Sequence, residues 1–145
     1  MWINNCPENK KFNPYVLGLD KVFKSDTNCK YHARFAIGLI ADTEYVAFFD
    51  DDTIPGPRLL EICVETMKVT PGILGGAGCI LHSRRYFQHT RVGWPSKNPT
   101  TQEVDLVGHA WFMKREHLNY MWYENPFTLE NGEDMDDPPA ASADA

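Results

Sequence analysis

Apolar and polar positions fall in blocks along the chain. The clearest block is Tyr45-Val46-Ala47-Phe48-Phe49, which runs directly into Asp50-Asp51-Asp52. An uninterrupted apolar run of this length predicts a strand buried on both faces, the usual pattern of a parallel sheet. Before it, Ala33, Ala36, Ile37 and Ile40 recur on one face of a helix, with Phe35 and Leu39 near that face. Asp26 or Thr27 is placed to cap this helix, which should end near residues 41–43. After the acidic triplet, Pro55-Gly56-Pro57 predicts a turn that also opens a helix. Leu59, Leu60, Ile62, Cys63, Val64 and Met67 carry that helix to about Val69, and Pro71-Gly72 breaks it. Residues 73–81 contain Gly75, Gly76 and Gly78 but are otherwise apolar, and read as a buried strand. Their glycine spacing matches neither the P-loop nor the dinucleotide fingerprint.

Weaker signals complete the pattern. Short strands are expected at Trp2-Ile3, at 21–23 and at 104–108, and a short helix at 114–121. Residues 6–14 and 122–127 read as loops. Residues 82–102 read as an irregular segment that can hold a hairpin. Strands alternating with helices over the first half predict an α/β layered sheet. The expected organisation is one domain over 1–136 and a disordered acidic, Pro- and Ala-containing tail over 137–145.

Charge changes the picture in one place. The net charge of −6 is accounted for by the six acids after residue 129, where the chain carries no lysine or arginine. The rest is balanced, so no basic surface points to nucleic acid. No apolar run reaches the roughly 18–20 residues that span a bilayer. No signal peptide or anchor is visible, and a cytoplasmic or a Golgi-type luminal location both stay open. Cys6, Cys29, Cys63 and Cys79 have no zinc-type spacing; Cys63 and Cys79 read as buried thiols, and a Cys6–Cys29 disulfide is the less favoured alternative to two free thiols.

Four stretches carry candidate chemistry. Asp50-Asp51-Asp52 is first, because adjacent carboxylates at a strand end repel one another unless solvated or neutralised by a hard cation. On an extended backbone Asp50 and Asp52 point to one side and Asp51 to the other. A solvated turn ahead of the next helix is the plain alternative. Second, Glu133 and Asp134 follow the turn residue Gly132, and a carboxylate there suits a general base if it faces the same cleft. A solvated tail is its alternative. Third, Gly108-His109-Ala110-Trp111-Phe112 offers aromatic faces on which a sugar can stack, against simple core packing. Fourth, Lys30 and Arg34 flank a helix start and suit an anionic ligand, against a solvated helix face. His32, His82, His89 and His117 are scattered and receive no role.

The order of these features resembles that of GT-A nucleotide-sugar glycosyltransferases, both the family 2 and the exostosin-like transferases. The residues that carry the resemblance are Trp2-Ile3-Asn4-Asn5, His32–Gly38 with Arg34, Glu44–Thr53, Val107–Arg115 and Gly132-Glu133-Asp134. The resemblance implies a Rossmann-like sandwich with a mostly parallel central sheet flanked by helices. It implies that Asp50 and Asp52 hold Mn²⁺ or Mg²⁺ on the diphosphate of a nucleoside-diphosphate sugar. Asp51 would lie near the donor ribose or sugar, and Arg34, with Lys30, near the nucleotide. Gly108 would belong to the ligand-binding loop on the acceptor side, and Asp134 or Glu133 would be the catalytic base. Against the family pattern, the chain starts after the strand that supports the nucleotide base and lacks the closing helices. A domain truncated at both ends is therefore expected.

The expected activity is metal-dependent sugar transfer to an acceptor hydroxyl on a glycan, a lipid or a protein. Two alternatives stand beside it. A haloacid-dehalogenase-type phosphatase fits Asp50-Asp51-Asp52-Thr53, with Glu133-Asp134 as its acidic pair, although Ile54 departs from its motif. A degenerate fragment that binds a cation or a partner without catalysis is the other.

Overall fold

The structure is a computed structural model that describes residues 2–4, 19–29, 32–50, 52–83, 88–93, 95–96 and 100–122. The chain divides into two compact units, one made of Met1–Ile40 with Leu118–Ala145 and the other of Ala41–His117.

In the first unit, β1 (Trp2–Asn4) pairs in parallel with β2 (Val22–Lys24), with Ile3 opposite Phe23. The chain turns at once after β2. The Ser25 hydroxyl donates to the Thr27 carbonyl at 2.6 Å, and the Thr27 N–H donates to Ser25 Oγ at 3.1 Å. Such hydroxyl–backbone bonds compete with helix formation. They hold Asp26 and Thr27 in a turn, so neither caps the helix. Helix α1 begins later, at His32, and runs only to Gly38.

The second unit contains β3 (Tyr45–Phe48), α2 (Leu59–Val69), β4 (Ala77–Leu81), β5 (His89–Gly93), β6 (Leu106–His109) and β7 (Trp111–Lys114). Helix α2 occupies the predicted span. Leu59 N–H donates to the Gly56 carbonyl at 3.0 Å to close the entry turn, and Thr70 N–H donates to the Thr66 carbonyl at its end. Strand β7 has no counterpart in the predicted elements. Strand β4 is shorter than predicted, because Leu74 leaves the run to bridge Phe112 instead. Residues 82–102 do contain half of a hairpin, β5, which pairs with β4. A 3-10 helix, Arg115–Trp122, follows β7; only its first three residues belong to this unit, and Leu118, the most deeply buried large side chain among the described residues, belongs to the first.

The mostly parallel Rossmann-like sandwich flanked by helices is not formed. Strand β3 pairs antiparallel with β7, and β4 lies between β5 and β6, antiparallel to both. Only β1 and β2 are parallel among the described strands. The apolar run of β3 reflects burial on both faces, not strand direction. Tyr45 and Ala47 face α2 and pack with Cys63, Met67 and Phe112, while Val46 is buried together with its partner Met113 on the opposite face. The Tyr45 and Phe112 rings stack with centroids 5.3 Å apart, the diagonal cross-strand pair that an antiparallel ribbon allows. Among the described residues, no helix is long and apolar enough to cross a membrane.

Candidate functional site

Antiparallel pairing decides what meets the acidic stretch. Phe48, the last residue of β3, stands opposite Trp111, the first residue of β7. The chain that enters β7 therefore lies beside the chain that leaves β3. Strands β6 and β7 are separated only by Ala110, whose φ of 55° makes the bend between the two sheets. The indole N–H of Trp111 donates to the Val107 carbonyl at 2.9 Å across this bend and fixes it. Gly108 and His109 are thereby brought to the carboxyl end of β3. His109 Nδ1 lies 3.9 Å from Asp50 Oδ2. Both side chains are partly exposed, so this contact contributes on the order of 1 kcal/mol at most, and only with the imidazole protonated.

The backbone is not extended beyond Phe49. Thr53 N–H donates to the Asp50 carbonyl at 3.0 Å, which closes a turn over residues 50–53. Alternation along a strand therefore does not describe Asp50 and Asp52. Asp50 is half-buried and Asp52 is exposed, with the Thr53 hydroxyl 3.5 Å from Asp52 Oδ1. Among the described residues, no group of three or more His, Cys, Asp or Glu side chains is arranged to hold a metal ion. Two carboxylates do not make a resident cation cage.

The structure thus joins two of the four candidate stretches, the acidic triplet and Gly108–Phe112. Phe112 itself is 5% exposed and belongs to the core under α2, so it offers no stacking platform. Arg34 is half-buried on α1 in the first unit. Asp51, Lys30, Glu133 and Asp134 lie outside the described residues.

Sequence reasoning gave no role to His89 and Arg91. Both line a surface pocket of about 250 Å³ on the β4–β5–β6 sheet, together with Cys79, Gly108 and His109. The signal was the alternation His89-x-Arg91-x-Gly93, hidden inside a stretch read as irregular. A second pocket, of about 290 Å³, lies at the other end of the β3–β7 ribbon, where Arg115 Nε donates to the Thr43 carbonyl at 3.2 Å. Comparison with known protein families, curated proteins and solved structures gave no match.

Proposed function

We propose that the Asp50–Thr53 turn binds a nucleoside-diphosphate sugar through a divalent cation, and that the chain transfers the sugar to an acceptor hydroxyl. The observation that carries this reading is the turn closed by the Thr53 N–H and Asp50 carbonyl at the end of β3, with His109 3.9 Å from the Asp50 carboxylate. The ordered motifs around that turn support the same substrate class. Asp50 and Asp52 are the residues that would hold Mn²⁺ or Mg²⁺. When bound, the cation supplies charge stabilisation for the departing nucleoside diphosphate. His109 lies 3.9 Å from the Asp50 carboxylate and, when protonated, adds a positive charge beside it. In this reading Gly108, which belongs to the same unit as Asp50, lines the ligand loop. The acceptor is a glycan, a lipid or a protein.

The two-carboxylate site also favours a second reading, cation-dependent binding of a nucleotide or a partner without turnover. Incubation with Mn²⁺, a panel of UDP- and GDP-sugars and a panel of glycan, lipid and protein acceptors separates the two. Time-dependent release of nucleoside diphosphate, lost in Asp52→Ala, is the expected result for a transferase. Metal-dependent binding with no release over many hours would support the second reading.

A further inference from the structure

The pocket on the three-stranded sheet is built from strand geometry. His89 and Arg91 are two residues apart on β5 and so share one face. Arg91 stands directly opposite Cys79 on β4, and His109 on β6 stands opposite Ala77, two residues from Cys79. One face therefore gathers a guanidinium, two imidazoles and a thiol around a space of about 250 Å³. Gly78 and Gly108 line it with backbone alone. The described residues lining it include no acidic side chain. The volume is below the roughly 300–1,000 Å³ of sites that enclose a drug-sized ligand, so the pocket suits a small group and not a whole nucleotide. Arg presents a fixed fork of N–H donors that matches phosphate oxygens and keeps its charge at every accessible pH. Imidazoles add single donors at its sides.

We propose that this pocket binds a phosphate-type anion, with Arg91 as the principal donor and His89 and His109 as flanking donors. The site needs no metal. His109 lines the pocket and also approaches Asp50, so the anion would sit next to the cation site proposed above. In that respect, and resting on that reading, the pocket takes a phosphate of the donor.

Cys79 supplies the reporter. The experiment measures iodoacetamide labelling of Cys79 in the full chain, resolved by peptide mass spectrometry, in EDTA and with increasing inorganic pyrophosphate. Saturable protection of Cys79 is expected. Arg91→Gln should weaken the apparent affinity by roughly tenfold or more, given the usual strength of a charge-assisted hydrogen bond. Arg91→Lys should retain part of it. Arg58→Gln, which removes the partner of Glu61 on α2, should leave it unchanged. Loss of metal-free Cys79 protection in Arg91→Gln and loss of Mn²⁺-dependent nucleotide binding in Asp52→Ala read out separately. Absence of protection, or protection insensitive to Arg91→Gln in a variant with unaltered circular dichroism, would overturn the proposal.

Discussion

A methyl group added at Gly78 would lie 2.6 Å from the Leu106 carbonyl oxygen and 2.7 Å from Val104 Cγ2. The first of these is backbone and cannot swing away. Gly78→Ala should therefore destabilise the chain by about 1–3 kcal/mol, the ordinary range for overpacking. Gly108→Ala is the matched control, because the nearest atom to its added methyl is the Ala77 carbonyl oxygen at 3.8 Å. Urea midpoints of the two variants check this, and equal midpoints would contradict it. Cys63 makes a second residue-scale case. Burial pushes its thiol above the ordinary value, because the thiolate loses its hydration in the core. Above that ordinary value, near pH 8.5, the unfolded thiol releases its proton while the folded one keeps it. Stability must then fall as pH rises, since the folded state holds more protons. The expected outcome is a lower urea midpoint at pH 9.5 than at pH 7, with a smaller drop in Cys63→Ala. Cys63 should also alkylate more slowly than Cys79 at pH 8, because Cys63 is buried and Cys79 is only half-buried.

At the scale of elements, the ribbon β3–β7 and helix α2 form one packing unit. Phe112 touches α2 through Cys63 and Met67, and Leu74 bonds to its backbone in both directions at 2.8 Å. Truncation to alanine at such a site typically costs 3–5 kcal/mol, a large share of a typical domain's 5–15 kcal/mol. Phe112→Ala should unfold the second unit at a temperature where Phe112→Leu still holds it, as read by thermal denaturation. This ribbon also explains what the sequence could and could not reveal. Helix α2 was legible because its apolar spacing, its proline entry and its Pro71-Gly72 exit all agree. The apolar character of β3 was legible too, but its partner was not. Periodicity reports which faces are covered, and says nothing about which strand lies alongside. Strand β7 was hidden because Trp111-Phe112-Met113 reads equally as a surface platform or as core. Helix α1 starts at His32 because Ser25 and Thr27 bond locally, a competition that propensity alone does not resolve.

At the scale of the whole molecule, the chain comprises two compact units, and the acidic turn belongs to the one formed by Ala41–His117. Within that unit, the site is assembled by topology more than by sequence proximity. Asp50 and His109 are far apart along the chain, and meet because β7 returns antiparallel beside β3. The acidic turn was legible in the sequence as three adjacent carboxylates after an apolar run. The neighbouring basic pocket was not, since His89, Arg91 and His109 share a face only once β4 separates β5 from β6. The central claim is that the Asp50–Thr53 turn recruits a cation together with a nucleoside diphosphate. Isothermal titration of the folded chain with UDP and with GDP, each with and without Mn²⁺, measures it most directly. Binding that requires Mn²⁺, is abolished by Asp52→Ala and is unchanged by Asp137→Ala is the expected result. No heat of binding from either nucleotide in the presence of Mn²⁺, or binding equally strong in EDTA, would contradict the claim.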